Sequence, residues 1–195
     1  MKALVTGASS GIGCQIALCL AHRGIDLVVC ARREERLEKL KSEVNVNVKI
    51  IKADLTDIDS VFALYTEVKD DGIDILVNNA GFGICGEFLK TDLSRELDMI
   101  DLNIKALHAL TKLFLRDFTE RNNGYILNVA SSAAFMPGPL LSSYYASKAY
   151  VLRLDRAVLL HHGRQFCHKR SLPFCLSFSH SASSPTRLHV VQPVI

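Results

Sequence analysis

A chain of 195 residues, 49% of them hydrophobic and with a formal net charge of +3, is long enough for one domain with a real core. The first apolar run, residues 3–5, ends in a glycine turn and is too short to cross a membrane or to act as a secretory signal, so a cytoplasmic location with no membrane partner is expected. Six cysteines without a C-x-x-C pair indicate reduced thiols and no metal site.

The chain opens with a short apolar run at residues 2–6, which predicts a strand. Gly7, Ser9, Ser10, Gly11, Ile12 and Gly13 follow at once, and helical periodicity begins with Ile12, Ile16, Ala17 and Leu20. A strand, a glycine turn and a helix N-terminus together suit a pyrophosphate. Glycines let the backbone come close, and free N–H groups with the helix dipole meet the negative charge. The spacing is G-x-x-x-G-x-G. Alone such a cluster is weak evidence, since a plain turn would also explain it; the residues further along the chain decide.

Residues 27–31 form a continuous apolar run, as a strand buried on both faces should. A charged helix is predicted over 34–44, a third strand over 48–52 ending near Asp54, and a helix over 60–68. A fourth strand over 73–77 ends at Asn78, Asn79, Ala80 and Gly81. Residues 97–118 read as one long helix or two joined, with Asn103 among apolar neighbours. A fifth strand over 125–129 precedes Ser131, and a last helix is predicted over 142–161. Alternating strands and helices predict an α/β fold: a Rossmann-like, doubly wound parallel sheet with helices on both faces. Ligands should bind at the carboxyl ends of its strands.

Strand two says which nucleotide suits the site. An acid about 20 residues past the glycines would bond the ribose hydroxyls of NAD. Here Arg32 stands nineteen after Gly13, followed by Arg33. Guanidinium groups suit a 2′-phosphate, so NADP(H) is the expected cofactor. The plainer reading is that both arginines only begin a solvated helix, and it fits Arg33 better than Arg32. For Asp54 the plainer reading is a helix N-cap, although Thr56 or Asp57 would serve better.

Tyr144 and Lys148 stand four apart, which places both on one helix face. An unperturbed phenol has a pKa of about 10, and a nearby ammonium favours the phenolate. Ser131 lies thirteen residues upstream of Tyr144, at the end of a strand, where its hydroxyl could bond the oxygen that the phenol protonates. These groups transfer protons but carry no redox agent, which a cofactor must supply.

Four signatures in order resemble the short-chain dehydrogenase/reductase family: Thr6-Gly-Ala-Ser-Ser-Gly-Ile-Gly13, Asn78-Asn-Ala-Gly81, Asn103, and Ser131 with Tyr144-x-x-x-Lys148. The resemblance covers about residues 1–160 and is strongest to cytosolic bacterial members. It implies that Asp54 contacts the adenine and that Asn78, Ala80 and Gly81 pass beside the cofactor. It implies that Lys148 grips the nicotinamide ribose. Asn103 would hold a kinked backbone whose carbonyl binds a water of a proton relay. A small-molecule carbonyl or alcohol substrate is implied, as is association into homo-oligomers through the helices over 97–118 and 142–161.

The terminus departs from that pattern. Residues 1–163 read as an NADP-binding catalytic domain and 164–195 as an atypical tail. From Arg156 onward there are five Lys and Arg and no acid, and the last glycine is Gly163. The family's Pro-Gly motif and lid helix have no counterpart there, as a shifted frame or a foreign terminus would produce. The tail is expected to pack poorly, with one short strand near 188–191 and an active site open on the lid side. The alternative function is therefore an impaired NADP-binding remnant. Nucleic acid is not expected as a partner, because clustered basic residues with interleaved aromatics are missing.

Overall fold

A computed structural model describes residues 1–166. The predictions for the tail over 167–195 lie outside the described residues. Five parallel strands form one sheet: β1 (Lys2–Thr6), β2 (Asp26–Ala31), β3 (Val48–Lys52), β4 (Ile75–Asn78) and β5 (Tyr125–Asn128). Their order is β3-β2-β1-β4-β5. The chain winds outward from β1 through β2 to β3, then crosses back to place β4 on the other side of β1. The loops after β1 and β4 therefore diverge, and a crevice opens between them.

Alternation within the central strands explains their unbroken apolar runs. Ala3, Val5, Leu27 and Val29 point to one face, against Ile16 and Ala17 of α1 (Gly11–Ala21) and Leu37 and Leu40 of α2 (Glu34–Ser42). Leu4, Val28 and Leu76 point to the other, against Val61 and Leu64 of α3 (Ile58–Val68) and Leu110, Phe114 and Phe118 of α5 (Leu107–Glu120). Each such buried Leu, Val or Phe contributes roughly 1.5–3 kcal/mol of transfer free energy. Tyr65 meets Phe114 edge to face, with ring centroids 5.4 Å apart.

Several boundaries differ from the sequence expectation. The helix that holds residues 60–68 starts at Ile58, and Asp57, one of the two caps preferred over Asp54 in the sequence, accepts from the backbone N–H groups of Asp59 and Ser60. β4 begins at Ile75, two residues late, although Ile73 is already buried. The helix predicted over 97–118 begins earlier, as α4 (Leu93–Ile100) capped by Asp92, and passes through a π-helical turn, Asp101–Ala106, into α5. π-Helical turns of this kind concentrate at functional sites. The last helix, α6 (Ser142–Phe166), packs Val151 and Leu154 against Leu107 and Ala130. No helix among the described residues is long and apolar enough to cross a membrane.

Candidate active site

The crevice at the carboxyl ends of β1 and β4 is a groove of about 620 Å³. Arg32, Arg33 and Asp54, the loop residues Gly7, Ser9, Ser10, Gly11 and Ile12, and Tyr144 with Lys148 all line it. Thr6 joins the two strand ends. Its Oγ1 donates to the Val77 carbonyl at 3.2 Å and accepts from the N–H groups of Asn79 and Ala80, each at 3.1 Å. Gly7 has φ +67°, and a Cβ there would lie 2.8 Å from Ala80 Cα, so glycine is needed for both conformation and space. At the N-cap of α1, Ser10 makes no side-chain capping bond, and the first turn holds no acid. The first N–H groups of α1 are thus open to an anion.

Arg33 N-caps α2 and turns back over the glycine loop. Its guanidinium donates to Ser9 Oγ at 3.2 Å and Ser10 Oγ at 2.9 Å. Arg32 instead lies 3.6 Å from Asp54 in an exposed ion pair. The plainer reading of Arg33 as a solvated helix start therefore misses its contact with the loop. Asp54 Oδ1 accepts from the Thr56 backbone N–H at 3.1 Å, which leaves capping of α3 to Asp57.

Asn79, Ala80 and Gly81, directly after β4, line the groove, and Asn78, the last residue of β4, does not. The Asn78 side chain turns into the interior, donating to Thr111 Oγ1 at 3.0 Å and Asn128 Oδ1 at 2.9 Å. This differs from the sequence assignment of Asn78 to the cofactor: β4 pairs with β5 in register at Asn78 and Asn128, so the side chain is held between strands and α5. Asn79 serves the loop instead, donating through Nδ2 to the carbonyls of Thr6 at 3.0 Å and Gly7 at 3.2 Å. Gly13 lies behind the groove wall, against the Gly7 carbonyl and Asn79.

Lys148 is buried, and its Nζ donates to the Val129 carbonyl at 3.0 Å. Its Nζ stands 5.9 Å from the centre of the Tyr144 ring. Burial pushes the ammonium down to about 8. Among the described residues no carboxylate lies within ion-pair distance of it. A buried cation without an acid is a group waiting for polar atoms from a ligand.

Asn103 is buried in the π-helical turn. Its Oδ1 accepts from Phe82 N–H at 3.1 Å, while its Nδ2 donates to the Phe82 carbonyl at 2.9 Å and to Ser147 Oγ at 3.1 Å. Ser131 directly follows Val129 and Ala130, both groove residues, and its Oγ accepts from Ala133 N–H at 3.2 Å in a short 3₁₀ turn. Tyr145, the neighbour of Tyr144, packs beside Gly138 and does not line the groove. Cys30 lines the groove as an inert thiol, pushed up to about 12 by burial. Ser147 escaped the sequence analysis, and its only signal is the serine inside Tyr144-x-x-x-Lys148; for Arg33 the sequence shows the basic pair after β2 but not the contact with Ser9 and Ser10.

One groove thus brings a strand, a glycine loop and the open N-terminus of a helix together with Tyr144 and Lys148, on a parallel α/β sheet. The family model for short chain dehydrogenase matches residues 1–165, and the chain belongs to that family. It is 36% identical over 165 residues to the very-long-chain 3-oxoacyl-CoA reductase of Anas platyrhynchos, covering 80% of this chain and 53% of the relative. Its structure resembles the bulky-bulky ketone specific alcohol dehydrogenase from Comamonas testosteroni, with a TM-score of 0.81, 32% identity, and coverage of 91% of this chain and 71% of that one. A short-chain dehydrogenase from Sphingobium yanoikuyae in complex with NADPH matches with a TM-score of 0.80 and 36% identity, over 84% of this chain and 66% of that one. The chain spans about half the length of the curated relatives it matches.

Proposed function

We propose that this protein transfers hydride between NADP(H) and a carbonyl or secondary-alcohol substrate. The observation that carries the reading is that one groove is lined both by two arginines and by Tyr144 with Lys148. Arg33, beside Ser9 and Ser10, and Arg32 suit the 2′-phosphate of NADP(H). The open N-terminus of α1 suits the pyrophosphate. The NADPH complex of the Sphingobium yanoikuyae relative supports the same nucleotide.

NADP(H), when bound, supplies the hydride. In reduction Tyr144 donates a proton to the carbonyl oxygen, and Ser131 holds that oxygen by a hydrogen bond. Lys148 holds the ribose hydroxyls and stabilises the negative charge left on the phenol oxygen. Asn103 anchors the backbone at Phe82, beside the path by which water returns the proton.

The test is NADPH oxidation, followed by absorbance, with acetophenone, cyclohexanone and benzil as probes. Turnover should occur with NADPH, vanish in Tyr144→Phe and persist in Tyr145→Phe. The Tyr144→Phe variant should still bind NADPH, because only the phenolic proton is lost. Binding without turnover by the unaltered chain, over an extended ketone panel, would instead mark a protein that holds the nucleotide and does no chemistry.

A further inference from the structure

Ser147 is fully buried, at 0% exposure, yet has no part in the chemistry above. Its Oγ donates to the Tyr144 carbonyl at 2.8 Å and accepts from Asn103 Nδ2 at 3.1 Å. We infer that Ser147 is a positioning residue: it couples Asn103 in the π-helical turn to the one turn of α6 that carries both Tyr144 and Lys148. This rests on the oxidoreductase reading above.

A serine inside a helix often bonds back to a carbonyl of its own helix, and that alone would be a local matter. Here the same oxygen also takes a bond from a residue 44 positions away. Phe82 determines which way round the Asn103 amide lies, since its N–H and carbonyl meet the Oδ1 and one Nδ2 proton. The second Nδ2 proton has Ser147 as its partner. Asn103 is 1% exposed, so water cannot replace a lost hydroxyl. Without it, a buried donor is left unsatisfied between the wall at Phe82 and the α6 turn, and the two can shift apart. Tyr144 then meets its substrate oxygen less squarely, where small misplacements are costly.

The experiment uses the full chain with NADPH and whichever of the three probe ketones turns over fastest. Ser147→Ala should lower kcat by about 10- to 100-fold, from one orphaned donor. The Kd for NADPH, read by fluorescence, should stay within about twofold, because Ser147 is not a groove residue. If the effect runs through Asn103, the double variant Asn103→Ala with Ser147→Ala should be within about twofold of Asn103→Ala alone. A serine that merely fills the core would give additive losses. Ser147→Cys keeps the volume with a weak sulfur acceptor and carries the same cycle if the alanine variant does not accumulate. Near-normal kcat in Ser147→Ala, or full additivity with Asn103→Ala, overturns the Ser147 inference and leaves the oxidoreductase reading standing. No NADPH-dependent turnover by the unaltered chain overturns both.

Discussion

Lys148 makes a test of how this site is built against stability. It is 6% exposed and hydrogen-bonds the Val129 carbonyl, and burial takes its ammonium from 10.5 to about 8. Such a drop corresponds to about 3 kcal/mol by which a charged Lys148 disfavours folding at pH 7. Replacing it by Met keeps the apolar stem and removes the charge. The Val129 carbonyl is then orphaned, which costs about 1 kcal/mol. Lys148→Met should therefore be more stable than the parent by about 2 kcal/mol at pH 7 without nucleotide. The pH dependence gives the sign. Below pH 8 the lysine is charged in both folded and unfolded chains, so the gap is constant. Between about 8 and 10.5 the unfolded chain binds more protons than the folded one, so the parent gains stability relative to the variant and the gap closes. Urea unfolding of both proteins from pH 7 to 10.5 measures it. A gap that does not change with pH, or a Met variant less stable at pH 7, refutes the reasoning. Activity should be lost in the variant throughout.

Four further variants test the groove. Arg33→Ala should weaken NADPH binding by roughly 10- to 100-fold through a lost charge-assisted contact and leave NADH unaffected; Arg32→Asp should shift preference toward NADH, and titration of both nucleotides against both variants would show an unchanged preference if the 2′-phosphate assignment is wrong. Gly81→Ala places a Cβ 2.7 Å from Asn103 Oδ1, so it should destabilise the fold by about 1–3 kcal/mol and depress kcat, checked by thermal melts and NADPH turnover. Thr6→Val removes the hydroxyl that accepts from Asn79 and Ala80 and should cost about 2–4 kcal/mol in denaturant unfolding, with weaker NADPH binding; a neutral result would mean the two strand ends are held by other bonds.

Much of the architecture was legible in local pattern. The runs at 2–6 and 27–31 became β1 and, with Asp26 added, β2, because strands buried on both faces need no polar alternation; the strand predicted over 48–52 became β3, which lies at the sheet edge and carries Lys49 and Lys52. The interval between Tyr144 and Lys148 put both on one groove wall, since helix spacing alone sets that face. Boundaries were less so. The start of α4 turned on a cap at Asp92, and that of β4 on where pairing with β1 begins.

Period and spacing in the sequence determined the order of elements, the faces they bury, the glycine turn after β1 and the shared helix face of Tyr144 and Lys148, all properties of neighbours within a few residues. Tertiary packing alone decided which polar groups meet across the chain. Arg33 reaches Ser9 and Ser10 because β2 lies beside β1. Asn78 faces Thr111 and Asn128 while Asn79 faces the glycine loop, because the register of β4 between β1 and β5 turns the two side chains apart. Ser147 holds Asn103 because α6 crosses the π-helical turn at that residue. A buried polar side chain takes whichever partner the packed backbone brings within 3 Å or so, and no local pattern records that partner.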